Sequence, residues 1–231
     1  MQGDSTTSVI EIETLTRERV PELCELMHDG FGSKACCLCL TESASGTANA
    51  LVKAYAKYPD EKLAACGLAV EYAAAHEPRQ GGGTIVGFCQ LTLPGLPGDY
   101  EIPECLSERP EDNEGHIDRI AVADRMRGRG IGTQLLDWAD NTCRSWRPDH
   151  GAAAHDMGRG YDGSVELLNT PGQRLTKVSL EVVHGNPAQR LYERHGYVVQ
   201  SEGCCSRCCN VCFVFFLMRK CGARRMVKPL T

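Results

Sequence analysis

The run Arg127-Gly128-Arg129-Gly130-Ile131-Gly132 stands where a strand-like segment, His116 to Val122, gives way to an amphipathic helical segment beginning near Ile131. Alternate glycines let backbone approach a bulky anion, and a helix N-terminus offers it unpaired N–H groups and partial positive charge. With Arg125, Arg127 and Arg129 interleaved, the loop is suited to holding phosphates. Beyond it, Ile131, Leu135, Leu136, Ala139 and Cys143 recur at helical spacing, and Lys177 to Val183 is rich in β-formers. Strand, helix and strand in that order predict a parallel, right-handed crossover unit.

The remaining segments fill in around this unit. Val9 to Leu15 reads as a strand, followed from Thr16 by a capped amphipathic helix that ends at Gly30. A helix is expected within Thr41 to Tyr58, then strands Leu68 to Ala75 and Thr84 to Leu93, joined through Pro78 and a triple-glycine turn. Residues 94–115 form an acidic, proline-containing connection, either a solvated loop or a lure for a cationic substrate. Residues 147–174 lack periodicity and read as a long insertion. Asn186 is placed to cap a short helix with Pro187 at its first position, and Gly196 to end it in the left-handed conformation. Tyr197 to Ser201 and Cys212 to Met218 are expected as the last two strands, leaving Arg219, Lys220, Arg224, Arg225 and Lys228 in a solvated tail.

A chain of 231 residues accommodates a single domain, 1–231, with insertions near 94–115 and 147–174. The formal charge of -5 argues against general nucleic-acid binding. No apolar run follows Met1, so neither secretion nor membrane insertion is expected, and the protein is placed in the cytoplasm. In that compartment the 14 cysteines are read as reduced thiols. They cluster at Cys36, Cys37 and Cys39 and at Cys204, Cys205, Cys208, Cys209 and Cys212. The adjacent C-x-x-C steps lack the spacer of a zinc ribbon, so no metal is expected. Nothing in the chain sets an oligomeric state.

Two nucleotide motifs fail on spacing. The loop reads G-x-G-x-G where a dinucleotide fingerprint needs G-x-G-x-x-G, and it lacks the Gly-Lys-Ser/Thr of a Walker loop. Arg127, Gly130 and Gly132, preceded by Ile120-Ala121-Val122 and followed by Leu135-Leu136, instead resemble the R-x-x-G-x-G/A signature of the GNAT superfamily of N-acetyltransferases. Leu180-Glu181-Val182, Asn186, Ala188, Leu191-Tyr192-Glu193 and Gly196-Tyr197 resemble that superfamily's second block. The two blocks span residues 116–199 and come in the expected order. Asn186 and Ala188 are one residue apart where two are frequent.

The resemblance implies an α/β (α+β) fold: a mixed, mostly antiparallel sheet of six to seven strands, splayed at its centre and flanked by about four helices. It implies acetyl-CoA as co-substrate, its pantetheine arm pairing with the backbone of Ile120, Ala121 and Val122 like an added strand. Arg127, Gly128, Arg129, Gly130, Ile131 and Gly132 then hold the pyrophosphate, and Asn186 either contacts CoA or only caps its helix. Transfer to a primary amine, of a small molecule or of a protein, needs a proton acceptor, because such an amine is protonated at neutral pH. Glu181, His116 and Asp118 are the candidates, Glu181 slightly favoured, and Tyr192 matches the tyrosine that protonates the leaving thiolate. The contrasting expectations are a catalytically silent acyl-CoA-binding domain and a thiol-rich regulatory or metal-binding one.

Overall fold

Seven strands form one open sheet in the order β1-β2-β3-β4-β5-β7-β6. They are β1 Ser8–Thr14, β2 Cys66–Ala73, β3 Thr84–Thr92, β4 Glu114–Val122, β5 Lys177–Val183, β6 Val198–Val199 and β7 Ala223–Pro229. The computed structural model describes residues 8–32, 48–73, 82–96, 110–147, 174–183, 186–200 and 223–231. Only β4 and β5 pair in parallel; every other neighbouring pair is antiparallel. Helices α1 Val20–Gly32, α2 Ala48–Tyr55, α3 Asp60–Ala64, α4 Ile131–Ser145 and α5 Gln189–Arg194 are described with them, along with short 3-10 turns at Arg17–Arg19 and Asp124–Met126. The mixed, mostly antiparallel sheet and its single parallel crossover agree with the expected class.

The sheet is covered on both faces, which explains the near-continuous apolar run of β3. One core cluster joins Val86, Cys89 and Leu91 to Ile131, Leu135, Leu136, Ala139 and Cys143 of α4 and Tyr192 of α5. The opposite cluster joins Leu68, Val70, Ile85 and Phe88 to Val20, Leu23 and Met27 of α1, with Tyr55, Tyr58 and Leu63. Burying a leucine such as Leu135 contributes about 1.5–3 kcal/mol as an upper figure, so Leu135→Ala would cost roughly 2–5 kcal/mol.

Several expectations need correction. Thr16 takes the N-cap position of a short 3-10 turn, Arg17–Arg19, without a side-chain cap hydrogen bond, and α1 runs on to Gly32. The helix expected in 41–58 is present as α2, residues 41–47 lying outside the described residues. The strand expected at Cys212 to Met218 and most of the 94–115 and 147–174 connections also lie outside them.

The largest correction is at the C-terminus. Arg224, Arg225 and Lys228, read as part of a tail, belong to β7, which pairs along its whole length with β5 and also with β6, while Arg219 and Lys220 lie outside the described residues. Two of its charges are used inside the fold. Arg225 Nη2 donates to both oxygens of fully buried Glu114 at 2.6 and 2.7 Å, Lys228 pairs with buried Asp140, and Met226 lies in the core.

Candidate active site

The parallel pairing of β4 with β5 lasts four rungs, from Glu114↔Lys177 to Ile117↔Leu180. Past that point β4 stays with β3 and β5 stays with β7, so the two strands part. A β-bulge marks the place: Gln90 faces Arg119 and Leu91 faces Ile117, which leaves Asp118 as the extra residue. From Asp118 to Val122, β4 presents backbone without a β5 partner among the described residues.

The glycine loop stands at the far end of that edge. Gly128 and Gly130 have φ of 77° and 80°, a region that side chains rarely adopt. Nothing lies within 4 Å of where a Cβ at either glycine would stand, so the outer face of the loop is open. Gly130 is the N-cap of α4, and the first helical bond runs from Gln134 N–H to Gly130 O at 3.1 Å. The amides of Ile131, Gly132 and Thr133 therefore have no acceptor within the helix, which suits an anion. Arg127 pairs with Asp124 at 2.7 Å and reaches Val122 O at 3.4 Å. Arg129 turns toward β1 and β2, with Ser8 Oγ at 3.2 Å and Glu71 at 3.4 Å. Both guanidiniums are substantially exposed.

The three candidate proton acceptors come to one face of the sheet. On β4, Ile117, Ile120 and Val122 pack on the α4 side, leaving His116 and Asp118 on the α1 side. On β5, Val178, Leu180 and Val182 do the same, and Ser179 and Glu181 face the other way. His116 thus lies on the paired rungs just below the parting, Asp118 on its β4 wall and Glu181, exposed, on its β5 wall. His116 Nδ1 is 2.8 Å from Ser179 Oγ. Burial lowers the His116 pKa below the usual histidine value; Asp118 and Glu114 oppose this, while Arg225 and Lys62 add to it.

Tyr192 lies on the opposite, α4 side. It is 6 % exposed and packs edge-on to Tyr197, ring centroids 6.2 Å apart. Burial, with the Cys89 thiol beside it, raises its pKa well above the usual tyrosine value, which keeps its proton in place. Helix α5 is held short at both ends. Ahead of it Asn186 Oδ1 accepts from Ala188 N–H at 2.9 Å, closing a turn; Ala188 is the N-cap, without a side-chain cap hydrogen bond, so Pro187 precedes the helix instead of opening it. At the other end Gly196, φ 94°, closes a Schellman motif in which Tyr197 N–H donates to Tyr192 O at 3.0 Å and Gly196 N–H to Glu193 O at 3.1 Å. Asn186 therefore closes the turn that leads into the helix and is not its N-cap, which is Ala188.

Sequence reasoning missed the polar residues beneath Asp118. Lys62 of α3, 1 % exposed, donates to Thr92 Oγ1 at 3.1 Å and lies 3.9 Å from Asp118 Oδ2. Thr92 Oγ1 donates in turn to Asp118 Oδ2 at 2.5 Å. Buried Gln90 accepts from Tyr55 and, at 3.4 Å, from Arg119. The only sequence signal was a lysine and a glutamine at positions where an apolar residue continues the pattern. Cys36 to Cys39 and Cys204 to Cys212 lie outside the described residues. Cys24, Cys66, Cys89 and Cys143 are buried free thiols, Cys66 and Cys143 pushed up to about 12 by burial, which makes them inert. Among the described residues no helix is long and apolar enough to cross a membrane, and no group of three potential ligands could hold a metal.

Comparison with known proteins bears on both fold and loop. A family model described as an acetyltransferase (GNAT) domain matches residues 69–199. No curated protein matches the sequence. Among solved structures, a chain of the NatC complex bound to Gag peptide and CoA superposes with a TM-score of 0.52 at 16% identity, covering 96% of this chain and 99% of that one. Ard1 from Thermoplasma volcanium gives 0.51 at 16% identity, with 96% and 98% covered. The PaiA N-acetyltransferase from Thermoplasma acidophilum, in complex with coenzyme A, gives 0.50 at 14% identity, with 96% and 99% covered.

Proposed function

The chain belongs to the GNAT acetyltransferase family, and from that premise we propose that it moves an acetyl group from acetyl-CoA to a primary amine within a ternary complex, as a single domain over residues 1–231. The observation that carries this reading is the parting of β4 from β5 after Ile117↔Leu180, in line with the open glycine loop and the free amides of α4.

In this reading the pantetheine arm lies along Ile120 to Val122 and the pyrophosphate rests on Arg127 to Gly132. The thioester reaches the gap between the strands, with Tyr192 on one side and His116, Asp118 and Glu181 on the other. An ammonium of pKa about 10.4 gives up a proton to an acceptor on that second side, and the freed nitrogen attacks the thioester carbon. The C–S bond breaks, the thiolate takes a proton from Tyr192, and the tyrosine regains one from the new amide nitrogen. Preorganisation favours this order, since both proton-handling groups are fixed before substrate enters.

The acceptor is a cation at neutral pH, either a small amine or a protein amino group. A CoA-release screen over polyamines, aminoglycosides, amino acids and N-terminal peptides tests the reading. Release that requires one acceptor class supports it. Acetyl-CoA binding without release for any acceptor would favour a silent acyl-CoA-binding domain, and no binding at all would end the reading.

A further inference from the structure

His116 and Ser179 face each other one rung before the last shared by β4 and β5. Both side chains are buried, and Nδ1 of the imidazole lies 2.8 Å from the serine hydroxyl oxygen. The other two candidates on this face are engaged otherwise. Asp118 already accepts from Thr92 and sits beside Lys62, and Glu181 is exposed and has a partner of its own. A neutral imidazole carries one N–H, and the hydrogen bond made by one ring nitrogen decides where that proton sits.

We propose that Ser179 is a positioning residue for acetyl transfer: its hydroxyl oxygen accepts Nδ1–H of His116 and leaves the lone pair on Nε2, the atom that takes the proton from the acceptor ammonium. This rests on the transfer reading above. One proton passes from the ammonium to Nε2, the nitrogen attacks, and the imidazolium returns its proton to solvent after the product leaves. The charged groups around the ring are Glu114 and Asp118 on its own strand, Arg225 on β7 and Lys62 on α3. Burial keeps the ring neutral at the pH where the amine must be deprotonated.

The test uses the full chain labelled with nitrogen-15 at histidine, the His116 resonances being assigned by their loss in His116→Gln. At pH 7.5 the wild type is expected as the Nδ1–H tautomer, Ser179→Ala to move toward the Nε2–H tautomer, and Ser179→Thr, which keeps the hydroxyl, to retain the wild-type form. With an acceptor from the screen, Ser179→Ala should lose about tenfold in kcat, part of the roughly 10²–10⁴ that a positioned proton acceptor contributes. Its KM for acetyl-CoA should stay unchanged, and Ser179→Thr should recover most of the loss. An Nε2–H tautomer in the wild type, or one that ignores Ser179, overturns the inference while leaving acetyl transfer intact. A tautomer that follows Ser179 in a protein that acetylates nothing upholds the pairing and overturns the transfer.

Discussion

The Cα of Gly132 faces Leu191 so closely that a Cβ there would stand 2.9 Å from Leu191 Cδ2. The first turn of α4, whose leading amides have no acceptor within the helix, is thereby packed against the helix that carries Tyr192. Gly132→Ala should be tolerated, because Leu191 Cδ2 is the free end of a side chain. Gly132→Val adds branches that α5 must yield to, at about 1–3 kcal/mol. Thermal unfolding with and without acetyl-CoA checks this: the valine variant should lose both intrinsic stability and most of the ligand-induced increase in Tm.

Gly130 is a separate case, since its constraint lies in the backbone. With φ of 80° and open space around it, a side chain meets no clash but holds the left-handed conformation at a cost of about 1–2 kcal/mol. Gly130→Val should also cover the free amides of α4 and raise the acetyl-CoA Kd at least about tenfold, roughly 1.4 kcal/mol. Calorimetry giving an unchanged Kd would remove this loop from the acetyl-CoA site.

These two glycines were readable in the sequence because φ > 0 and close approach each require glycine, and because α4 keeps its apolar positions at helical spacing. The parallel β4–β5 pair was readable for the same reason: a strand, a long amphipathic helix and a strand have one common arrangement. Strand β7 was not. Its alternation is real, Met226 and Lys228 on one face and Arg225 on the other, but the charged members find buried partners, Asp140 and Glu114, more than 80 residues away. Hydropathy cannot distinguish an arginine in water from one that neutralises an interior carboxylate. Lys62 was missed on the same ground, and Ser179 because a serine in a strand carries no signal until its partner across the rung is known.

Arg225→Met tests whether β7 is held by its charge. Glu114, fully buried, would keep only Lys177 at 3.5 Å, and an interior carboxylate stripped of its bidentate partner costs about 3–5 kcal/mol, less whatever Lys177 recovers. Adding Glu114→Gln to Arg225→Met should restore part of that loss, whereas Arg224→Ala, at an exposed position, should change stability by less than about 0.5 kcal/mol. Denaturant midpoints for the three proteins give the comparison. Equal losses for Arg224→Ala and Arg225→Met would refute the assignment.

His116 should make stability depend on pH. Its folded pKa lies below the unfolded value of about 6.5, so the unfolded chain binds the proton first on acidification. The stabilisation is therefore full above about pH 6.5 and is lost as pH falls through the lower folded value. Glu114, Asp118, Arg225 and Lys62 remain in His116→Gln, so the difference between the two proteins isolates the ring. Unfolding free energies from pH 7.5 to 5 should fall more steeply for the wild type. Parallel curves would mean that the ring is protonated equally in both states.

Tyr192→Phe separates chemistry from packing. The ring stays in the core against Tyr197, and only the hydroxyl is removed, so stability should change by no more than about 1 kcal/mol. Because burial raises the Tyr192 pKa, the hydroxyl keeps its proton throughout neutral pH, as the proposed role of acid toward the departing thiolate requires. Its folded value lies above the unfolded value of about 10, so any pH-linked stability from this group is present below pH 10 and lost only as pH rises beyond it. No alkaline limb in rate should therefore arise from Tyr192 between pH 7 and 9. The phenylalanine variant should bind acetyl-CoA within about twofold of the wild type and turn over roughly 10²-fold more slowly, the scale of a lost general acid. Full turnover would make Tyr192 a core residue alone, and a large fall in acetyl-CoA affinity would make the hydroxyl a binding group for the co-substrate.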